Sequence, residues 1–139
     1  MEDGIRYVFE APSALQTLAF YDQIGWSALL NKTGEQLHCA MLGSWCVLCA
    51  WEGERLVGMG RVVSDGHLNT YLCGLGVLRE YRGRGIGSAI AGRLLEHCRA
   101  DGLSLQLMCE EHLVPRYRKL GFSPFAVGMK AEAGAPEAE

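Results

Sequence analysis

The 139-residue chain contains no long apolar run. Its longest stretch free of Asp, Glu, Lys and Arg covers residues 36–51 and includes Gln36, His38 and Ser44. A membrane-spanning helix needs ~20 apolar residues, so no span is expected. The opening Met1-Glu2-Asp3-Gly4 lacks the basic start and apolar centre of a secretory signal, and a cytoplasmic protein is expected. A basic surplus is missing too. The formal net charge is -3, and Glu132, Glu137 and Glu139 near the C-terminus account for it, leaving the rest of the chain neutral. That balance argues against a general nucleic-acid binder.

Cysteines are present but lack a metal-binding pattern. Cys46 and Cys49 have CxxC spacing, yet they stand in a β-type run where an offset of three turns the two thiols to opposite faces, and no second CxxC completes a zinc site. No metal is expected, and the thiols read as buried groups in a reducing compartment. What the chain does have is the composition of a folded domain, 49% hydrophobic and 21% charged. Its length suits one domain over residues 1–130, followed by a flexible acidic tail over 131–139.

Periodicity predicts a short strand over residues 5–9 and a helix opening at Pro12-Ser13 and ending at Gly25. A second helix is predicted from Thr33, where Thr33 and Gln36 have capping-box spacing, to Gly43. Runs over 45–51, 55–63 and 68–77 form a three-strand meander with turns at Glu52-Gly53-Glu54 and Asp65-Gly66. From Gly85 to about Ala100 the period becomes helical, with Ile86, Ile90 and Leu94 inward and Ala89 and Leu95 widening the stripe. Leu103, Leu105 and Leu107 then alternate as a strand over 103–109, parallel to the 68–77 strand through a crossover. A short helix over 115–120 follows. Residues 122–130 are expected to form one or two last strands, one bent strand, or a strand pairing with a second copy in a homodimer. This order indicates an α/β chain of α+β type, a mixed sheet with helices on its faces.

Chemistry concentrates between Val77 and Ser88. Gly83, Gly85 and Gly87 alternate at a strand-to-helix junction, where bare backbone N–H groups and the helix N-terminus attract an anion, and Arg82 and Arg84 add positive charge. A phosphate or pyrophosphate is the natural guest. A P-loop is excluded because the segment has no lysine. A dinucleotide fingerprint fits poorly, because Leu78 to Arg82 intervenes after the strand and no ribose-binding acid precedes Glu110.

Arg82-x-x-Gly85-x-Gly87 resembles the Q/R-x-x-G-x-G/A signature of the GNAT superfamily of acetyl-CoA-dependent N-acetyltransferases. Tyr117-Arg118-Lys119-Leu120-Gly121-Phe122 resembles the family's YxKLGF run, and Leu56-Val57-Gly58-Met59-Gly60-Arg61 its LVG-G strand. The resemblance implies a mixed, mostly antiparallel sheet with one splayed central parallel strand pair and helices on both faces. It implies that Leu75, Gly76 and Val77 pair with the pantetheine arm of acetyl-CoA, that Gly83, Arg84, Gly85, Ile86, Gly87 and Ser88 donate amides to the pyrophosphate, and that Arg82 closes over it. Tyr117 takes the general-acid position. The acceptor implied is the primary amine of a small molecule, with a CoA-binding regulatory module or a peptide or protein N-acetyltransferase as alternatives.

One family feature is missing. The strand interior Tyr71-Leu72-Cys73-Gly74-Leu75-Gly76 lacks the acid that often deprotonates the amine, which leaves Glu110, Glu111, His112, Asp65, His67 or a water chain as candidate bases. Phe20, Tyr21, Trp26 and His38 are candidates to wall the acceptor site, and core packing accounts for them equally well.

Overall fold

The computed structural model describes residues 4–134, so the expected acidic tail lies outside the described residues from position 135 onward. The chain divides between Leu107 and Met108 into two units. The first carries β1 (Ile5–Val8), α1 (Ala14–Ile24), α2 (Ser27–Leu30), α3 (Gly34–Leu42), β2 (Cys46–Glu52), β3 (Arg55–Ser64), β4 (Thr70–Val77), a 3-10 turn (Arg79–Tyr81), α4 (Ile86–Ala100) and β5 (Gln106–Leu107). The second carries a 3-10 turn (Glu111–Leu113) and α5 (Val114–Lys119).

The five strands form one sheet in chain order, antiparallel except for the parallel β4–β5 pair at its end. Side-chain alternation sorts the helices onto opposite faces. Toward one face, a Cβ placed on Gly58 lies 3.1 Å from Ile90 and one on Gly60 lies 3.2 Å from Leu94, so these glycines let α4 approach closely. The glycines of the LVG-G run therefore have a packing reason. Ile86, Ile90, Ala91, Leu94 and Cys98 form the buried stripe of α4. Ala91, three residues before Leu94, and Cys98, four after it, complete it, and Ala89 and Leu95 flank it half-buried. Each Ile or Leu so buried contributes roughly 1.5–3 kcal/mol.

On the opposite face, the end of α1 lies against β4. A Cβ on Gly76 would overlap Ile24 and stand 2.7 Å from the Trp26 ring. The missing side chain is the room that Trp26 occupies.

Helix ends repeat one device. Gly25 donates to Asp22 O and Trp26 to Tyr21 O, with Gly25 in the left-handed region at φ 90° and the Tyr21 and Trp26 rings edge to face at 5.2 Å. This is the paired six-to-one and five-to-two closure of a helix C-terminus with its apolar contact. Gly102 and Leu103 close α4 onto Arg99 O and Cys98 O in the same way. In the second unit, Gly121 and Phe122 close α5 onto Arg118 O and Tyr117 O, with the Tyr117 and Phe122 rings 6.1 Å apart. Tyr21-x-x-Ile24-Gly25-Trp26 and Tyr117-x-x-Leu120-Gly121-Phe122 are thus two instances of one local pattern.

Two expectations are corrected. β5 spans only Gln106–Leu107 instead of 103–109. Leu103 and Leu105 are buried, but burial alternation is not ladder pairing, and only Tyr71 and Leu72 stand in register with β5. Residues 122–130 contain no strand. Pro124 removes a ladder donor there and Gly128 weakens strand propensity. The CxxC thiols do diverge: Cys49 Sγ donates to Glu10 O at 3.4 Å, whereas Cys46 faces Cys98 of α4, and burial pushes both thiols up to about 12. No helix among the described residues is long and apolar enough to cross a membrane.

The packing at Gly76 makes a quantitative prediction. Gly76→Ala should lower stability by about 1–3 kcal/mol through overpacking against Ile24 and Trp26. Urea unfolding measures it, and an unchanged midpoint would contradict this contact.

Candidate active site

β4 is hydrogen-bonded along one edge and mostly open along the other. On the β3 side the ladder runs from Thr70 to Val77, with a register shift where Gly74 and Leu75 together oppose Gly60. Gly74 takes φ 59°, the left-handed geometry that such a bulge uses. Beyond the bulge, Leu78 donates to Val57 O at 2.9 Å. Antiparallel alternation then points Gly76 toward β3, and turns the N–H and C=O of Leu75 and Val77 to the other edge. There β5 reaches only Tyr71 and Leu72, so the edge from Cys73 to Val77 has no ladder partner among the described residues. Arg82 Nε takes the Val77 carbonyl at 3.0 Å, and Leu75 keeps both its backbone groups free of a β5 partner.

The chain then turns into α4. Leu78 and Tyr81 are buried and anchor the turn, Tyr81 by donating its hydroxyl to Glu52 Oε1 at 2.6 Å. The Tyr81 pKa is raised, first by this carboxylate and then by desolvation. Arg55 adds an ion pair to Glu80 at 2.8 Å. Arg84 lies over the Tyr81 ring at 4.9 Å, and both Arg82 and Arg84 are solvent-exposed.

α4 begins unlike the other long helices. Ser13 with Gln16 on α1, and Thr33 with Gln36 on α3, form complete capping boxes with bonds of 2.9 and 3.1 Å. At the start of α4 stands Gly85 in the left-handed region, with no side-chain cap. Ala89 is the first α4 residue whose N–H finds a backbone carbonyl, that of Gly85. Among the described residues, none accepts from the amides of Gly83 to Ser88. Unsatisfied N–H groups, the helix dipole of about half an elementary charge, and three exposed arginines at 79, 82 and 84 make this a donor cluster for an anion. A Cβ on Gly83 or Gly85 meets nothing within 4 Å, so these glycines serve the backbone conformation, φ 81° at each.

The structure thus brings Leu75, Gly76, Val77 and the Arg82 to Ser88 segment into one continuous stretch of the first unit. Tyr117 belongs to the second unit, on α5, half-buried beside Phe122. Its pKa is raised mainly by burial and further by Cys109, against a smaller lowering by Arg116. Among the candidate bases, Asp65 is committed to its turn. Its Oδ1 accepts from the amides of His67, Leu68 and Asn69 at 2.9, 2.7 and 3.2 Å, which lowers its pKa. His67 and Glu111 are exposed, and Glu110 and His112 pair at 3.4 Å in solvent. Of the acceptor-wall candidates, Phe20 is core, whereas Tyr21 and Trp26 reach the β4 glycines, and His38 carries a buried Nδ1 without a partner. Sequence reasoning missed the bulge at Gly74 and the placement of Arg61 beside it. The available signal was a single charge, Arg61, between Arg55 and Asp65 in a run of apolar residues and glycines.

Comparison with known proteins identifies the family. The acetyltransferase (GNAT) family model matches residues 6–122. The chain is 32% identical over 124 residues to the histone acetyltransferase of Glycine max, covering 81% of this chain and 52% of that protein. It is 31% identical over 110 residues to the mycothiol acetyltransferase of Corynebacterium glutamicum, covering 73% and 36%. The matched region thus spans about half or less of the length of these curated relatives. A GNAT-family acetyltransferase structure from Streptococcus pneumoniae superimposes with a TM-score of 0.78 at 28% identity, over 93% of this chain and 98% of that one. The chain belongs to the GNAT acetyltransferase family.

The left-handed Gly85 offers a test within the fold itself. Gly85→Ala has room for its methyl group but not the backbone preference, so it should cost about 1–2 kcal/mol. Thermal unfolding would report it, and a variant as stable as the parent would contradict the φ assigned here.

Proposed function

We propose that this protein transfers the acetyl group of acetyl-CoA to the primary amine of a small molecule, working in the cytoplasm, with residues 1–130 acting as one catalytic domain. The observation that carries this reading is the uncapped start of α4 directly following the open edge of β4. The donors fit the co-substrate's chemistry: amides of Gly83, Arg84, Gly85, Ile86, Gly87 and Ser88 for a pyrophosphate, with Arg82 beside it, and the open-edge backbone of Leu75 and Val77, on either side of Gly76, for the amide-bearing pantetheine arm.

Acetyl-CoA supplies an activated thioester. The neutral amine nitrogen attacks the carbonyl carbon; a C–N bond forms, the C–S bond breaks, the nitrogen loses a proton and the sulfur gains one. An N–H of the open β4 edge offsets the negative charge that develops on the carbonyl oxygen. Tyr117 is assigned as the proton donor to sulfur, a reading supported by the YxKLGF match and by burial, which keeps its hydroxyl protonated beyond the ordinary tyrosine pKa of about 10. A water chain fits the base role better than Asp65, whose carboxylate is held by three amides. Trp26 at Gly76 supports a small acceptor against an aromatic wall.

Acetyl-CoA with a broad amine panel should release free thiol. Tyr117→Phe should slow turnover by about 10²–10⁴-fold, the usual worth of a positioned acid, with CoA affinity unchanged by calorimetry. The alkaline limb that Tyr117 imposes on kcat should lie above pH 10, because its pKa is raised. Tight CoA binding with thiol release at background for every amine would instead identify a CoA-binding regulatory module. Gly87→Ala separates cradle from fold. Its Cβ comes no nearer than 3.6 Å to Val77, so stability should hold while CoA affinity falls. Unchanged affinity would remove the α4 terminus from the site.

A further inference from the structure

β3 is buried along most of its length, yet it carries a guanidinium. Arg61 is half-buried and, since Gly60 faces α4, points to the opposite face. Its Nη1 donates to Ser44 Oγ at 3.2 Å, and its Nε is shut off from solvent with no acceptor in hydrogen-bond geometry among the described residues. No carboxylate among the described residues forms an ion pair with it, whereas Arg55 has Glu80 at 2.8 Å. A guanidinium drawn partly out of water with only neutral hydroxyls beside it, those of Ser44 and Tyr21, is under-compensated.

Its location gives this charge a use. Arg61 stands opposite Cys73, at the β4 bulge. Around the position of a Cβ on Gly74 lie the Tyr21 hydroxyl at 3.6 Å, Arg61 Nε at 3.9 Å and the Trp26 ring at 4.0 Å. Burial raises the Tyr21 pKa and outweighs the lowering by Arg61, so the hydroxyl is a donor at neutral pH. A cation, an O–H donor and an indole edge therefore meet at Gly74, one residue before Leu75, whose backbone groups face the open edge.

We propose that Arg61 and Tyr21 bind a carboxylate of the acceptor, so that the acceptor is an amine that also carries a carboxylate, such as an amino acid. This rests on the acetyl-transfer reading above and specifies its substrate class. One guanidinium and one neutral hydroxyl balance a single negative charge, which suits a carboxylate better than a phosphate dianion. The planar guanidinium also matches the two oxygens of a carboxylate. The anion is held at one end of the acceptor, and its amine is directed toward the edge at Leu75.

The test compares matched acceptors: amino acids, their carboxamides, the corresponding decarboxylated amines, and an aminoalkyl phosphate. The wild-type enzyme should favour the carboxylate over the carboxamide by about tenfold or more in kcat/KM, mainly through KM, the scale of one charge-assisted pair. Arg61→Met should erase most of that preference by raising KM for the carboxylate far more than for the carboxamide, with the affinity for CoA unchanged, and Arg61→Lys should restore part of it. Tyr21→Phe, which keeps the buried ring, should weaken the same preference if Arg61→Met fails to fold. Equal use of carboxamide and carboxylate by the wild type, or an equal loss on both in Arg61→Met, would overturn the subsite. Preference for the aminoalkyl phosphate would overturn the carboxylate assignment. If no amine releases thiol, calorimetric titration of the amino acids into the CoA-loaded protein separates the two claims. Arg61-dependent binding of amino acids but not carboxamides would uphold the subsite against a failed transfer reading, and no such binding would overturn it.

Discussion

The organising constraint is the open edge of β4. A strand in the middle of a sheet normally satisfies its backbone on both sides, because each unpaired buried N–H or C=O is costly. β4 does so only at Tyr71 and Leu72, where the two-residue β5 reaches it. From Cys73 onward one row of backbone groups is available to something other than the sheet. The bulge at Gly74 sits where this opening begins. The glycine at position 76 lets the end of α1 lie against the other face of the same segment. The strand thus has one edge held by β3, one edge free, and a face covered by Trp26.

Two opposite treatments of helix ends reinforce that arrangement. C-termini of α1, α4 and α5 are each closed by a left-handed glycine and its paired backbone bonds, which fixes where each helix stops. N-termini of α1 and α3 are sealed by their own capping boxes. The start of α4 is left without a side-chain cap, and it follows the open strand by a single tight turn anchored through Tyr81 and Glu52. The charge pattern agrees. A chain of near-neutral balance outside its acidic end concentrates Arg79, Arg82 and Arg84 beside this terminus.

Much of this was legible in the sequence because it is encoded locally. The Thr33 to Gln36 capping box, the turn at Glu52-Gly53-Glu54 and the glycine loop before α4 each depend on residues within a few positions of one another, and the structure has them where expected. Non-local features were not legible. The alternation of Leu103, Leu105 and Leu107 reports burial on one face, and says nothing of whether a neighbouring strand stands in register. The bulge at Gly74 follows from β3 supplying one residue against two of β4, which neither strand reveals alone. Arg61 read as part of a glycine-containing strand motif. Its meaning depends on Tyr21 and Gly74, forty residues before it and thirteen after it in the chain.

The central claim is that the backbone of one stretch, the β4 edge through the α4 start, binds acetyl-CoA. Amide chemical shifts recorded by NMR with increasing acetyl-CoA test it most directly. The amides of Leu75, Val77 and Gly83 to Ser88 should shift together along one binding isotherm, with the capped starts of α1 and α3 unmoved. Saturable binding that leaves those amides unperturbed, or no binding at all, would contradict the account.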